Sequence, residues 1–304
     1  MPQPTTAIAG ATGDLGARIT RALVARGASV RALVRHDAGP EVLQQVRDLG
    51  AEPAVADVSD VSSMAEACRG ADCVVSALNG LRDVIVDRQS VLLDAAVAAG
   101  VPRFIPSDYS ADFTTTPPGD NRNLDLRREF MGRADRAPIR VTSILNGAFM
   151  DMLGAEMPII QPRIKRVLFW EDKDQLLDFT TKDDVAAFTA AAALDPTTPR
   201  ALRISGDTLS VRDLAGTLTR TTGDRYRPLR VGSVTSLSLL IGAIRTVAPA
   251  HGEVFPAWQG MQYTRDMFSG RVQLGSLDND RYPELTFTTV DDKFTRRELE
   301  SAAR

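Results

Sequence analysis

Gly10-Ala11-Thr12-Gly13-Asp14-Leu15-Gly16 follows the apolar run Ala7-Ile8-Ala9 and opens a stretch in which Ile19, Leu23 and Val24 recur at helical spacing. The reading of this turn decides the fold. Gly10 permits a tight turn, Gly13 lets a pyrophosphate come close to the backbone, and Gly16 lets the helix pack against the strand. The helix N-terminus adds unpaired N–H groups and a partial positive charge, which suit an anion. A glycine pattern alone is weak, but at a strand–turn–helix junction it has the context that dinucleotide binding requires.

Beyond the turn the alternation continues. Short apolar runs at 30–34, 54–56, 73–75, 104–105 and 141–145 are separated by stretches of helical spacing, such as Val91, Leu92, Ala95, Ala96 and Ala99. Gly27, Gly50, Gly70 and Gly100 each follow a candidate helix, where a left-handed C-terminal residue is wanted. Strands apolar on both faces and alternating with helices predict an α/β fold, a doubly wound parallel sheet. Past residue 150 the pattern loosens at Pro158, Pro162 and Phe169-Trp170, then resumes with a strand near 178–180, a helix over 183–194 and a strand at 202–204. The tail reads as apolar helices with a Trp258/Tyr263/Phe268 cluster and no strand-rich order. The expected organisation is a dinucleotide-binding domain over 1–152, to which 175–205 returns, and a smaller, mostly helical substrate lobe from 153–174 and 206–304.

The 304 residues carry 36 basic and 39 acidic side chains, a net charge of −3. That leaves no polybasic field for nucleic acid. Two cysteines (Cys68, Cys73) and two histidines (His36, His251) are too few for a disulfide framework or for a metal centre built on those ligands. Met1–Pro4 has no basic leader region, and the apolar stretch Leu237–Val247, interrupted by Ser238 and Arg245, is shorter than the roughly 20 residues that span a bilayer. The expectation is a soluble cytoplasmic protein with no membrane attachment. Only four of the basic residues are lysines: Lys165, Lys173, Lys182 and Lys293.

The end of the second strand discriminates between the nicotinamide cofactors. An acidic residue there holds a ribose 2′-OH, whereas an arginine accommodates a 2′-phosphate. Arg35-His36 stands at that place and Asp37 comes two positions late. Arg35 thus points to NADP(H), because a guanidinium grips phosphate in a bidentate fork; the plainer reading is a solvated surface arginine. His36 reads as an exposed neighbour or an adenine-stacking group.

The Gly10–Gly16 turn, Val30-Arg31-Ala32-Leu33-Val34-Arg35 and Arg103-Phe104-Ile105-Pro106-Ser107-Asp108-Tyr109 together resemble the NmrA-like and isoflavone-reductase-like group, which are atypical short-chain dehydrogenase/reductases. Thr142-Ser143-Ile144-Leu145-Asn146-Gly147-Ala148-Phe149 is similar to that group's sixth strand and the loop after it. The resemblance covers residues 5–215. It implies phosphate contacts at Thr12, Asp14 and Leu15, adenine-side contacts near Asp57 and Val58, and nicotinamide-side contacts from Ala77, Leu78 and Ser107. The strand ends carrying Ala77, Leu78 and Ser107 belong at the crevice on independent grounds, since open α/β sheets bind ligands at the carboxyl ends of their strands.

Two features depart from the group. The wider superfamily uses a tyrosine with a lysine four residues on, yet Tyr109, Tyr226, Tyr263 and Tyr282 are followed at that spacing by Phe113, Arg230, Met267 and Thr286. Isoflavone-reductase-like enzymes place a catalytic lysine on the helix after the fifth strand, where this chain reads Asn121 to Phe130 with Arg127 at the matching place. Arginine can polarise a carbonyl or clamp a phosphate, but with a pKa above about 12 it does not exchange protons. Arg127 has two readings, a catalytic group or one of a solvated set with Arg128, Asp125 and Glu129. Tyr109 is the first candidate for the proton donor, with Asp108 or water as alternatives. Phe149, Met150, Met152 and Leu153 are candidates for an apolar substrate pocket or for ordinary core, and Trp258–Tyr263 is a candidate to close over the site.

Two functions are compatible with these residues. One is an NADPH-dependent oxidoreductase that reduces a small carbonyl, enone or quinone compound; the cofactor carries the hydride chemistry, so the protein positions the substrate and excludes water. The other is a non-catalytic NADP(H)-sensing regulator that acts through a protein partner. The cofactor reading has a direct test. Arg35→Ala should weaken NADPH binding at least tenfold more than NADH binding by fluorescence titration, because a lost charge-assisted pair is worth about 1.5–3 kcal/mol; equal losses would sink the 2′-phosphate assignment.

Overall fold

Within the first strand Ile8 and its neighbours Ala7 and Ala9 divide between two cores on opposite faces, as the period-two geometry of a strand requires. The structure, a computed structural model, describes residues 3–153 and 157–294. Strands β1 (Thr5–Ala9), β2 (Ser29–Arg35), β3 (Glu52–Ala56), β4 (Cys73–Ser76), β5 (Arg103–Ile105) and β6 (Arg140–Val141) form one six-stranded sheet in the order β3-β2-β1-β4-β5-β6. Every pairing in it is parallel. Between them run α1 (Asp14–Ala25), α2 (Pro40–Asp48), α3 (Val61–Cys68), α4 (Gln89–Ala98) and α5 (Arg122–Ala134). The first core packs Ile19, Leu23 and Val46 of α1 and α2 on one face. The second packs Met64, Leu92, Leu93 and Phe130 of α3, α4 and α5 on the other. The fold is therefore a doubly wound α/β sheet, and its strand order reverses between β1 and β4, where such sheets open a crevice.

The expected strand over 141–145 divides at Thr142. The Thr142 amide donates to Phe104 O at 3.0 Å, whereas the Ser143 amide donates to Arg200 O at 2.9 Å. The continuing strand β7 (Ser143–Leu145) then pairs in parallel with β12 (Ala201–Arg203). The returning segment also supplies β11 (Leu176–Thr180) and α6 (Lys182–Leu194), whose Val185 and Phe188 complete the first core.

The rest of the chain builds a third core around Phe113, Leu145, Phe179, Leu218 and Phe268. Its elements are β8 (Ala148–Phe149), β9 (Ile160–Gln161), β10 (Arg166–Trp170), β13 (Asp207–Ser210), α7 (Val211–Thr222), β14 (Arg227–Gly232), α8 (Val234–Val247), α9 (Ala257–Phe268) and α10 (Val290–Lys293). The tail is more strand-bearing than its sequence suggests, since β13 pairs with β11 and β14 with β10. Pro228 and the arginines Arg227 and Arg230 disguise β14; proline is admitted there because an edge strand leaves one row of N–H groups unpaired. Among the described residues no helix is long and apolar enough to cross a membrane.

The turn that positions the crevice is held by backbone approach. Gly10 has φ +83°, and a Cβ on it would lie 2.6 Å from Ala77 O. A Cβ on Gly16 would lie 2.0 Å from Gly10 O, closer than real atoms come. Gly16→Ala must push α1 away from β1 and should cost about 1–3 kcal/mol, read as a lower urea midpoint at unchanged slope; a parent-like midpoint would show that the approach is not a constraint.

Candidate active site at the carboxyl ends of the sheet

The glycine turn leaves an anion cradle. Gly13 is the N-cap of α1 and brings no side chain to the helix end, so the first-turn N–H groups keep no capping partner from it. A Cβ on Gly13 would meet nothing nearer than Gly10 O at 3.4 Å, and the residue is exposed. This is a cradle that a phosphate can enter. Asp14 caps its rim: its carboxylate accepts from Lys182 Nζ at 2.7 Å and Arg18 Nε at 2.8 Å, and these partners hold it below the usual carboxylate range. Thr12 and Leu15 flank the same turn, both half-buried.

Arg35 lies at the end of β2 with its side chain 62% exposed, touching only Asp37 at 3.5 Å. An exposed pair of this length is weak, so the guanidinium is free to turn toward a phosphate. Asp57 and Val58 follow β3; Asp57 is occupied by Ser59, whose amide and hydroxyl donate to it at 2.9 and 2.6 Å. Ala77 is bound to β1 through its amide and Ala9 O at 2.9 Å. Ser107 is brought to Leu78, donating from Oγ to Leu78 O at 2.6 Å, while its amide donates to the buried Gln89 Oε1 at 2.9 Å. Gln89 starts α4 directly after a π-helical stretch, Asp83–Arg88. Sequence reading missed it because the apolar spacing shows no sign of a widened turn.

Tyr109 is placed elsewhere. It is 5% exposed and packs in the first core with Ile105, Ile144 and Phe188. Its buried hydroxyl has no hydrogen-bond partner among the described residues, and burial raises its pKa. The ring lies in the core layer that it shares with Phe188 of α6. Met150 and Leu153 are buried in the third core, at 0% and 4% exposure. Phe149 stays half-buried, with Lys182 Nζ 6.0 Å from its ring centre.

Arg127 is not on a solvated face. It is 8% exposed, donates from Nη1 to Asn123 O at 3.1 Å, and its Nε has no partner among the described residues. Its helical neighbours take the surface roles: Arg128 pairs with Asp125 at 2.5 Å and Glu129 with Arg82. Asp108, three residues past β5, is fully buried within the electrostatic reach of Arg127. Asp108 accepts from Ser143 Oγ at 2.6 Å through one oxygen and has no partner on the other. Burial raises the Asp108 pKa, opposed by the Ser143 hydrogen bond and by the charges of Arg127 and Arg200. A buried guanidinium with a free N–H and a buried carboxyl with a free oxygen mark a place where a polar ligand atom would be received.

Segment Trp258–Tyr263 docks α9 onto the first turn of α5. Gln259 donates to Asn121 at 2.8 Å, Asn121 to Asp266 at 2.8 Å, and the Arg122 amide to Gln262 at 3.3 Å. Arg122 and Arg245 each lie over the Trp258 ring, at 4.6 and 5.1 Å. Both cysteines are buried, their thiols pushed up by desolvation to about 11 and about 12 for Cys68 and Cys73, which makes neither a nucleophile.

The NmrA-like family profile matches residues 2–242. Pinoresinol reductase 1 of Arabidopsis thaliana is 30% identical over 208 residues, a match taking in 63% of this chain and 65% of the relative, just under two thirds of its length. A structure described as AtPrR2 with NADP+ and (+)pinoresinol superposes with a TM-score of 0.81 at 22% identity, covering 98% of this chain and 99% of that one. An NADPH-dependent quinone oxidoreductase from Escherichia coli superposes with a TM-score of 0.70 at 20% identity, covering 95% and 98%.

Asp108 gives the site a pH signature. Its folded pKa is raised above the unfolded value, so the native state holds a proton that the unfolded chain releases above about pH 3.9. Stability therefore falls as pH rises through that window. Asp108→Asn should flatten this part of the urea-midpoint profile between acid and neutral pH; an unchanged slope would show that Asp108 is ionised in the fold.

Proposed function

Because the chain belongs to the NmrA-like family, we propose that it is an NADPH-dependent oxidoreductase that reduces a small carbonyl, enone or quinone compound. The observation that carries this reading is the buried, half-unsatisfied pair Arg127 and Asp108 at the carboxyl end of β5, beside strand ends where a dinucleotide fits. Gly10, Gly13 and Gly16 with the α1 N-terminus would hold the pyrophosphate, Arg35 the 2′-phosphate, Asp57 and Val58 the adenine side, and Ala77, Leu78 and Ser107 the nicotinamide side. NADPH supplies the hydride when bound. The named relatives support the class: one is a reductase by name and another is named for NADPH and quinones.

The chain's own residues divide the remaining work. Arg127 would place a permanent positive charge where the substrate oxygen becomes negative, which is worth most in a water-excluded site. Its free Nε is the donor, and its charge does not depend on pH near neutrality. Segments 1–152 and 175–205 would form the cofactor domain, and 153–174 with 206–304 the lobe that covers the substrate.

Purified protein with NADPH and a panel of aromatic ketones, enones and quinones should lose the nicotinamide absorbance, and Arg127→Ala should lower kcat/KM by about 100-fold. Tight NADPH binding with no turnover on any acceptor would instead support a cofactor-sensing regulator that works through a protein partner. Unchanged kinetics in Arg127→Ala would return that residue to a structural role.

A further inference from the structure

Asp14 puts a negative charge where a diphosphate has to bind. It is the first residue of α1, directly after the Gly13 N-cap. A carboxylate there complements the positive helix end, but it is a like charge to a diphosphate seated on the same N–H groups. A cavity of about 460 Å³ opens at this point, lined by Thr12, Gly13 and Asp14 and by Arg18 and Arg21 of α1. The starts of α1 and α6 stand side by side above it, joined by the pairs Asp14–Lys182 and Arg18–Asp183. Lys182 is the first residue of α6, and its Nζ donates to Asp14 Oδ2 at 2.7 Å.

We propose that Lys182 is a positioning residue of the cofactor site: it neutralises Asp14 at the rim of the glycine turn, so that the turn accepts the diphosphate of a nicotinamide dinucleotide. The inference rests on the cofactor placement above. The diphosphate is common to NADPH and NADH, so Lys182 serves both, whereas Arg35 serves the 2′-phosphate alone. Its base is held rigidly for this task. The Lys182 amide donates to Asp151 Oδ2 at 2.8 Å, and the other Asp151 oxygen accepts from Lys293 Nζ at 3.0 Å. The Lys182 side chain then runs past Phe149, with Nζ 6.0 Å from the ring centre, before it reaches Asp14.

A tether between two helices is the plainer reading of the same pair, and two observations speak against it. The Asp14 side chain is 54% exposed and that of Lys182 23%, and a pair so open to water adds little to stability. The two helix starts are also already tied by Arg18 and Asp183. The charges show what Lys182 adds. Arg18 is shared between Asp14 and Asp183, so within this hydrogen-bonded set two carboxylates face two cations. Removal of Lys182 leaves one uncompensated negative charge beside the diphosphate. The sequence hides this partnership, because Asp14 and Lys182 are 168 positions apart.

Lys182→Met keeps the aliphatic stem beside Phe149 and removes the charge. By fluorescence titration the affinities for NADPH and NADH should both fall about tenfold, or about 1.4 kcal/mol, with their ratio within about twofold of the parent's. Asp14→Asn placed in the Lys182→Met protein should bring both affinities back to within about threefold of the parent, because the charge that needed neutralising is gone. A helix tether predicts no such recovery, since the double variant lacks the pair altogether. Urea midpoints read folding separately and should stay close to the parent's in both proteins. Unchanged affinity in Lys182→Met, a loss confined to NADPH, or a double variant as weak as the single one would each overturn the proposal. A parent protein that binds neither NADPH nor NADH overturns the cofactor placement and this inference with it, whereas a parent that binds while Lys182→Met binds equally well overturns this inference alone.

Discussion

The structure depends on how closely α1 is allowed to approach the end of β1. Gly16 sits where a Cβ would be 2.0 Å from Gly10 O, and Gly10 where one would be 2.6 Å from Ala77 O. Three backbones therefore meet at one point: β1, the start of α1, and the exit of β4. That point is also where the strand order reverses. Close packing brings the positive end of α1 to the mouth of the crevice, and the absence of side chains on the turn leaves its N–H groups accessible. The same contact thus fixes the helix layer and opens the anion cradle, and neither can be altered without the other.

A second constraint works through charge. The interior at the end of β5 contains a guanidinium and a carboxyl that do not form a close ion pair. Arg127 bonds to Asn123 O and Asp108 to Ser143, each leaving one polar atom without a partner. Buried polar atoms left without a partner are costly for stability alone. They become useful if a third polar atom enters between them. The surface chain Asp135–Arg200–Ser143, with bonds of 2.7 and 2.7 Å, holds Asp108 from behind and keeps its second oxygen directed away from solvent.

The doubly wound half was legible because its physics is local and repetitive. Ala7-Ile8-Ala9 and Cys73-Val74-Val75 are buried on both faces, so they read as continuous apolar runs. Gly27, Gly50, Gly70 and Gly100 end their helices with positive φ, as their positions imply. The candidate site was legible only in part. Ser107 and Leu78 come together as two strand ends must, but nothing in a single sequence says which layer Tyr109 enters. Tyr109 lies four residues past β5, and strand alternation through the irregular Pro106-Ser107-Asp108 stretch has no fixed phase. Arg127 lies on the helix read for it, yet its burial is not written in the apolar spacing of that helix. The strands β13 and β14 were masked for a similar reason: their partners β10 and β11 are distant, and an edge strand shows little apolar alternation.

Arg127 stands on α5 where the resemblance to isoflavone-reductase-like enzymes implies a lysine. A lysine can polarise a carbonyl and also pass a proton, so one side chain on the sheet domain would suffice. An arginine supplies the charge with a better fork and without the proton. The start of the same helix, at Asn121 and Arg122, is where α9 docks. Its attachment is built of buried polar bonds, Gln259–Asn121–Asp266 and the Arg265–Asp266 pair at 2.6 Å, which fix orientation more strictly than apolar packing does. Those bonds fix the start of α5 against α9 through a buried polar seam that the apolar spacing of neither helix announces.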